Sequence, residues 1–359
     1  MKISSVQARW LRTPLNPPLR DSLHELSAID WILVEVEAGG IVGNSYMLSF
    51  DFAPRQMLSF VTDELQKHAL GMESDNIQAV FERMLRATEY VGQSGLAMWA
   101  VSAIDTALWD LLAKKLGVSA SILFGRYTCE VPAYASGGWL SYSDDELVAK
   151  AIANVTKGFR AIKLKINNSV GSSLRRVGLV REAVGYDIQI MVDANQGLEF
   201  ESALRISQRL WDLNVVWLEE PFRKDDLANY SRLRQHSALP IAAGEREFGQ
   251  EPFARLVNGR CIDIVQPDLM RIGGVTNWLK VAHLSESNML RVAPHFYKEF
   301  DVHLSASLPN LIAIEWFDWI DPLLVHPLQL RNGMAVVPDG PGFGSEFRQD
   351  AIDEFEVRL

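Results

Sequence analysis

The sequence is poor in several features that would assign it to a specialised class of protein. It has only two cysteines in 359 residues, Cys129 and Cys261, and they lie far apart and in no spacing typical of a metal site. We therefore expect two buried thiols in a reducing compartment. No long basic run accompanies the net charge of −10, which argues against nucleic acid or an anionic membrane as the main partner.

Membrane-directing segments are also lacking. The N-terminus has no apolar signal core, and the longest apolar stretch, residues 96–113, is interrupted by Asp105 and Asp110. We interpret this stretch as too short and too polar to span a bilayer. With 48% hydrophobic and 22% charged residues, the composition is that of a globular protein with a large core, and we expect it in the cytoplasm.

The first third of the chain predicts a small α+β domain. Residues 1–55 indicate a three-stranded meander, with residues 13–30 as a long polar loop between the first two strands. Residues 54–117 predict helices, of which the clearest ends near Gly117. We predict a capping domain over residues 1–125.

Strands and helices alternate regularly from residue 131 onward, which is typical of a βα barrel. The eight candidate strands are residues 131–136, 160–166, 188–193, 215–219, 240–244, 262–266, 289–294 and 311–315. Amphipathic runs such as 202–213 and 275–286 separate them. The fold class is therefore α/β, a modified (β/α)8 barrel over residues 126–325. Residues 326–359, which include an Asn-Gly hairpin, are predicted to pack back on the capping domain.

Three carboxylates occur at equal spacing at the ends of three successive predicted strands. Asp193, Glu219 and Glu245 are separated by 26 residues each, about the length of one βα unit. Parallel strands in a barrel end on one face, so the three acids should converge there. Their charge would be costly unless a hard divalent cation bound them, and Mg²⁺ is the first candidate. Any one of them alone is better explained as a helix N-cap or a solvated acid.

Basic side chains lie near this predicted cluster. Asp268 and His295 end neighbouring strands, so the carboxylate could orient the imidazole and make it a general base. Lys163 and Lys165 are two residues apart and point to the same face. Near a cation the pKa of a lysine falls, and its neutral form becomes a base. Alone, the histidine would be a core or rim residue, and the lysines would belong to an exposed edge strand.

Glu315 ends the eighth predicted strand. If protonated, it could hydrogen-bond to a substrate carboxylate or enolate, although a rim salt bridge explains it equally well. A metal, a lysine and a histidine–aspartate pair together suit abstraction of the proton next to a carboxylate.

These motifs resemble the enolase superfamily and, within it, the mandelate racemase subgroup. The resemblance covers nearly the whole chain. The motifs are the 102–109 helix, Lys163-Leu164-Lys165, Asp193-Ala194-Asn195, Glu219-Glu220-Pro221, Gly244-Glu245, Pro267-Asp268, Ile272-Gly273-Gly274-Val275, His295 and Glu315.

The resemblance implies a role for each matching residue. Mg²⁺ would be bound by Asp193, Glu219 and Glu245. Lys165 would be a base and Lys163 a substrate contact. The dyad would be His295 with Asp268, the hydrogen-bonding acid Glu315, and a further polar contact Asn195.

Family members that look like this include racemases, epimerases, cycloisomerases and, most often, acid-sugar dehydratases. A dehydratase removes the proton α to the carboxylate, expels the β-hydroxyl as water and yields a 2-keto-3-deoxy acid. The polar capping loop, with Arg20 and His24, favours a polyhydroxylated acid, because buried hydroxyls need partners. Tyr46 and Trp316 are further candidate substrate contacts.

We therefore predict a Mg²⁺-dependent acid-sugar dehydratase, a hydro-lyase. The alternatives are a racemase, epimerase or cycloisomerase, and, as a different class, a non-catalytic ligand-binding barrel. Similar enzymes are usually homo-oligomers, often octamers.

Overall fold

The N-terminal unit of the chain is built on an antiparallel sheet, as predicted. The structure, a computed structural model, describes residues 1–358. Its first sheet has the order β1 (Ile3–Arg20), β2 (Glu25–Ala38) and β3 (Ile41–Ser49). The central strand β2 is the most buried of the three, because both of its edges are paired and helices cover one face of the sheet.

The connection between β1 and β2 is much shorter than the predicted loop of residues 13–30. The two strands pair as far as Arg20 and Glu25, so the connection between them is reduced to residues 21–24. A register irregularity between Pro14 and Leu19 lets the edge strand β1 pass its prolines, which lack the N–H that a central strand would need.

Helices cover this sheet and connect it to the second unit. In chain order they are α1 (Pro54–Ser59), a π-helical segment (Phe60–Leu65), α2 (Gln66–Ala69), α3 (Ile77–Ala87), a 3-10 turn (Glu89–Val91), α4 (Leu96–Leu116) and α5 (Ala120–Leu123). Helix α4 packs on β3 and ends at Gly117, whose φ of 68° suits a glycine helix stop.

Helix α4 is longer than the predicted segment, which we interpreted as too short and too polar to span a membrane. It has 21 residues and passes a test of length and composition for a membrane-spanning helix, as core helices of soluble proteins also do. Of its most apolar 18-residue window, 78% is buried inside the protein. The Ser102 hydroxyl donates to the Met270 carbonyl at 2.7 Å, which ties this core helix to the second unit.

The second unit is a closed parallel barrel. Its strands are β4 (Glu130–Gly137), β5 (Ala161–Lys165), β6 (Gln189–Asp193), β7 (Val215–Glu219), β8 (Ile241–Ala243), β9 (Ile264–Val265), β10 (Arg291–Val292) and β11 (Ile314–Trp316). Strands β4 to β10 pair in sequence order, β11 pairs with β4, and a bridge between Val292 and Leu311 completes the ring. All eight predicted strands are present.

Seven helical connections surround the barrel in residues 1–358, rather than the eight of a complete (β/α)8 repeat. They are α6 (Asp144–Thr156), α7 (Val170–Val184), α8 (Phe200–Trp211), α9 (Leu227–His236), α10 (Glu251–Asn258), the pair α11 (Leu269–Ile272) and α12 (Gly274–Ser287), and α13 (Lys298–Ser305). Strand β11 is followed by a 3-10 turn, Asp321–Leu323. Apolar side chains such as Trp217 and Met191 fill the barrel interior.

The C-terminal segment contacts both units. Its hairpin, β12 (Leu330–Arg331) and β13 (Met334–Val336), pairs with the barrel strand β4 rather than with the capping sheet. Beyond the hairpin, the Phe343 N–H donates to Asp110 Oδ1 on α4 at 2.7 Å, and the last helix, α14 (Gln349–Phe355), packs on β1. The hairpin is thus an exception to the predicted packing of residues 326–359 on the capping domain, and the domain boundary at residue 125 stays a prediction.

The two cysteines have different environments. Cys261 is buried as predicted, whereas Cys129 is exposed just before β4. Both are free thiols.

Candidate active site

Three carboxylates converge at the C-terminal ends of adjacent barrel strands. Asp193 ends β6, Glu219 ends β7 and Glu245 follows β8. Asp193 and Glu219 are paired in strand register, so their side chains point to the same side of the sheet. All three are buried, and one oxygen of each lies within 4.8 Å of the others. We call Asp193, Glu219 and Glu245 the acid triad.

The acid triad fits a hard divalent cation. Its ligands are carboxylate oxygens, the donors that Mg²⁺ prefers. Burial, with repulsion from Asp193 and Glu315, raises the pKa of Glu219 to about 7, although Lys163 lowers it. A bound cation would offset this repulsion and keep the carboxylates ionised.

Lys163 and Lys165 extend from β5 toward the acid triad. The Lys165 ammonium donates to Asp193 Oδ2 at 2.5 Å. Lys163 donates to Glu219, and its Nζ lies 2.7 Å from Glu315 Oε1. Burial lowers the pKa of both lysines, but the neighbouring carboxylates outweigh it and raise both pKa values. A neutral Lys165 therefore requires that positive charge offset these acids. The predicted contact of Lys163 with substrate stays a prediction.

His295 and Asp268 form the predicted pair on the other side of the acid triad. The His295 ring contacts Asp268 Oδ2 through Nδ1 at 2.8 Å, and its Nε2 lies 3.4 Å from Glu245 Oε2. Asp268 also accepts the backbone N–H groups of Met270 and Arg271 at the start of α11. With Asp268 fixed in this way, the imidazole is oriented with Nε2 toward the acid triad.

The surroundings of Glu315 favour its ionised form over the protonated form considered above. Burial raises its pKa, but Lys163 and His295 outweigh this effect and lower the pKa below the usual value. Its second oxygen accepts the Phe296 N–H at 3.1 Å. Glu315 is therefore an ionised partner of Lys163, buried beside the acid triad.

Glu220, which is buried, pairs with the half-buried Arg246 next to Glu245. Glu220 has a left-handed backbone, with φ of 40°, and accepts from Gln196 Nε2 at 2.9 Å and from Arg246 Nε at 3.0 Å. Arg246 also lies 3.6 Å from Glu245 Oε1. Burial and Glu245 raise the pKa of Glu220 to about 8, although Arg246 lowers it. The strained backbone at Glu220 is the kind that persists at functional sites.

A cavity of about 550 Å³ opens over this face of the barrel, between the strand ends and the capping sheet. The barrel contributes the polar floor of the cavity, which consists of Lys165, Asn195, Glu245, Arg246, Asp268 and His295. Asn195 donates to Asp193 Oδ2 at 3.1 Å, while its Oδ1 is buried without a partner among residues 1–358. An amide oxygen left in this state suits a ligand donor.

Aromatic rings form the opposite wall of the cavity. Phe317 and Trp319 stack with ring centroids 4.4 Å apart, and Trp139 stacks on Trp319 at 5.8 Å. Lys165 Nζ lies 5.2 Å from the centre of the Trp139 ring. The cavity therefore combines a charged floor with an apolar side, as small-molecule sites commonly do.

The capping domain places His24 at the cavity but not Arg20. His24 lines it and contacts the carboxylate of Asp21 through Nδ1 at 3.1 Å. Arg20 is exposed and lines a separate, smaller cavity beside Arg176, so the structure corrects its predicted contact with substrate. The carbonyl of Arg20 accepts the Leu140 N–H at 2.7 Å, which draws this end of β1 toward the barrel.

Tyr46 and Trp316 do not line the cavity, which also corrects their predicted role. The Tyr46 hydroxyl donates to Glu299 Oε2 at 2.7 Å in the buried layer between sheet and barrel. The Trp316 indole donates to Asp318, and its ring lies against Lys298. Trp316 lies on the opposite face of β11 from Glu315, because side chains alternate along a strand. Tyr46 is instead enclosed by Tyr297 and Phe300 in the packed layer, which its position in the sequence does not reveal.

Sequence reasoning missed several cavity residues, notably Ser49 and Arg271. Arg271 donates to the Glu245 carbonyl at 2.9 Å, so it also supports the backbone of a triad member. No local pattern marks either residue. Ser49 reaches the cavity through the docking of the capping sheet on the barrel, and Arg271 through its position on α11 next to Glu245.

We expect removal of one acid-triad carboxylate to abolish metal binding. Added Mg²⁺ should raise the melting temperature of the protein, because a ligand that binds only the folded state stabilises it. In Glu219→Gln this increase should disappear. Glu247→Gln, a buried acid that pairs with Lys224 outside the triad, is the matched control and should keep the increase. An unchanged Mg²⁺ response in Glu219→Gln would refute the site.

We also expect the protonation of His295 to depend on the cation. Burial lowers its pKa, but Glu245, Glu315 and Asp268 outweigh burial and raise it to about 9 from an ordinary 6.5. A histidine with a raised folded pKa contributes stability below about pH 6.5 that is lost toward pH 9. Without Mg²⁺, the free energy of unfolding should therefore fall across this range, and less so in His295→Asn.

Histidine NMR titration checks the same prediction directly. Mg²⁺ should lower the pKa of His295, because the cation neutralises Glu245 nearby. An identical titration with and without Mg²⁺ would contradict the arrangement.

Comparison with known proteins supports the resemblance seen in the motifs. Residues 146–351 match the enolase C-terminal domain-like family model, and residues 4–125 match the N-terminal domain model of mandelate racemase / muconate lactonizing enzyme.

The individual relatives are named for different reactions. L-talarate/galactarate dehydratase of Salmonella typhimurium is 34% identical over 80% of this chain and 73% of its own length. D-galactarolactone cycloisomerase of Agrobacterium fabrum is 30% identical over 99% of both chains. The crystal structure of a Streptomyces coelicolor racemase with bound magnesium has a TM-score of 0.96, with 30% identity over 99% of this chain and 100% of that one.

Both domains are thus matched, and the fold is shared over essentially the whole length. The chain belongs to the enolase superfamily, in the mandelate racemase/muconate lactonizing enzyme group.

Proposed function

We propose that this protein is a Mg²⁺-dependent enzyme that removes the proton α to a carboxylate and dehydrates an acid sugar to a 2-keto-3-deoxy acid. One observation carries the proposal. Lys165 and His295 approach a single cavity from opposite ends of the acid triad, since Lys165 contacts Asp193 on β6 and His295 lies near Glu245 after β8. A substrate carbon above the triad would have a proton-transfer group on each side.

The chain's own residues divide the work between binding and proton transfer. Mg²⁺, when bound by the acid triad, would stabilise the negative charge of the enediolate that forms when the α proton leaves. Lys165 and His295 are the two proton-transfer groups, and Asp268 orients the imidazole. Lys163, held by Glu315, would place a second positive charge near the substrate carboxylate. Asn195 offers its free amide oxygen to a substrate hydroxyl.

Two observations favour dehydration: the substrates named for a matched relative, and the polar groups that the capping domain brings to the cavity. The matched dehydratase acts, by its name, on talarate and galactarate, which are acid sugars. In this chain His24 and Asp21 bring polar groups to the capping side of the cavity. Loss of water also needs a general acid near the β-hydroxyl, and a protonated His295 can serve as one.

Isomerisation is the second candidate, supported by the cycloisomerase relative and by the aromatic wall of Trp139, Phe317 and Trp319. Aromatic faces pack well on the C–H faces of sugar rings, so a cyclic acid or lactone would suit this wall. The same proton-transfer groups would then act without loss of water.

The location and assembly of the enzyme are part of the proposal. Two free cysteines, one of them exposed at Cys129, suit a reducing cytoplasm. We propose a homo-oligomer that acts on a small carboxylate, with the capping domain of residues 1–125 closing over a barrel of residues 126–325.

Proton NMR in deuterated buffer with Mg²⁺ and pools of mono- and diacid sugars tests the proposal. We expect one acid sugar to be consumed while a 2-keto-3-deoxy product appears. Exchange of an α proton with all hydroxyls retained would replace dehydration by isomerisation. No exchange and no consumption, although Mg²⁺ binds, would favour a non-catalytic binding barrel.

A further inference from the structure

We propose that Ser49 is a substrate-binding residue, which donates or accepts a hydrogen bond with a substrate hydroxyl on the capping side of the cavity. This inference rests on the proposed function and specifies its substrate further. Ser49 is the last residue of β3 and lines the cavity together with its neighbours Leu48 and Phe50.

The Ser49 hydroxyl is buried without a partner. The residue is 4% exposed, and Oγ makes no hydrogen bond within residues 1–358. A buried hydroxyl in this state costs free energy, and a protein gains nothing by keeping it unless something else satisfies it. The residue lines the cavity while Oγ itself is buried, and rotation about the single χ1 bond moves a serine hydroxyl between staggered positions. We infer that a bound ligand draws Oγ into such a position.

A second unpartnered oxygen lies in the same cavity. Of the buried side-chain atoms without partners in residues 1–358, only Ser49 Oγ and Asn195 Oδ1 belong to residues that line it. Asn195 is on the barrel floor, where it donates to Asp193, whereas Ser49 is on the capping sheet. A polyhydroxylated ligand that extends from floor to cap would satisfy both.

The surroundings of Ser49 make its hydroxyl selective. Leu26 and Leu48, which line the cavity with it, are apolar and buried, and the Phe50 ring packs against Trp319 with ring centroids 6.0 Å apart. On such a wall one hydroxyl defines where a substrate hydroxyl is accepted. The substrate class is therefore an acid sugar that carries a hydroxyl beyond the reacting α and β carbons.

Ser49→Ala tests this role against a purely structural one. If Ser49 binds substrate, kcat/KM should fall about tenfold through loss of one hydrogen bond, mainly in KM. The melting temperature of the unliganded variant should stay equal or rise, because an unpartnered buried hydroxyl is removed. A structural serine would show the reverse, with lower stability and unchanged kinetics.

Ser345→Ala is the matched control. Ser345 is also buried, at 3% exposed, and its Oγ has no hydrogen-bond partner within residues 1–358, but the residue does not line the cavity. We expect its stability to respond as in Ser49→Ala while its kcat/KM remains that of the wild type. Unchanged kcat/KM in Ser49→Ala, or an equal fall in Ser345→Ala, would overturn the inference.

The outcome is separable from that of the proposed function. The kinetics are measured on the acid sugar found in the NMR screen, whichever reaction it undergoes. If the substrate is isomerised and Ser49→Ala loses about tenfold in kcat/KM, dehydration is overturned and the role of Ser49 is upheld. If the substrate is dehydrated and Ser49→Ala has the kcat/KM of the wild type, dehydration is upheld and the role of Ser49 is overturned. If no acid sugar reacts, calorimetry with galactarate and Mg²⁺ decides, and absence of binding by the wild type overturns both.

Discussion

Replacement of Lys165 by alanine should abolish turnover while the acid triad still binds Mg²⁺. Loss of a positioned proton-transfer group typically costs about 10²- to 10⁴-fold in rate. Lys165 is not itself a metal ligand, and its ammonium pairs with Asp193 at 2.5 Å. Its removal leaves the triad more negative, so the affinity for a cation should not fall.

Two measurements check Lys165→Ala, the rate of substrate loss and the Mg²⁺-dependent melting temperature. Lys224→Ala is a suitable control, because Lys224 pairs with Asp225 outside the cavity and should be dispensable. Full activity in Lys165→Ala would remove this residue from the mechanism.

Replacement of His295 by asparagine should have an effect of similar size. Asparagine can keep a hydrogen bond to Asp268, which lies 2.8 Å from His295 Nδ1, but it cannot accept or release a proton near neutral pH. We therefore expect turnover to fall by about 10²- to 10⁴-fold with the fold and the metal retained.

The control for His295→Asn is His283→Asn, a change at an exposed position of α12 that should be silent. Exchange of the α proton in deuterated buffer then separates the two proton-transfer steps. Whichever of the Lys165 and His295 variants still exchanges retains the group that takes the first proton. Undiminished turnover in His295→Asn would reject the dyad.

The elements that position the catalytic face could be predicted because their signals are local in sequence. Short apolar runs such as 215–219 mark buried strands, and the equal spacing of Asp193, Glu219 and Glu245 reflects the repeat length of one βα unit. Once the strands are parallel and adjacent, their C-terminal residues must meet on one face.

Predictions for the cap were less accurate because they depend on strand register and on docking. Reading residues 13–30 as a loop ignored the pairing that carries β1 and β2 to Arg20 and Glu25. Docking of the sheet on the barrel encloses Tyr46 against Tyr297, whereas Ser49, at the end of the same strand, lines the cavity.

The charge states of the site likewise required the tertiary structure. A position at the end of a strand does not reveal whether Glu315 is protonated. Its contact with Lys163 at 2.7 Å lowers its pKa despite complete burial. The carboxylates of Glu245, Glu315 and Asp268 raise the pKa of His295 to about 9, although burial lowers it.

The sequence by itself determined the strand order of the barrel, the convergence of the acid triad and the family, since these follow from period, spacing and motifs along the chain. Only the tertiary structure decided which capping residues reach the cavity, that the C-terminal hairpin joins β4, and which acids are ionised. Those properties arise from contacts between residues far apart in sequence, where a shift of one position in register moves a side chain to the opposite face.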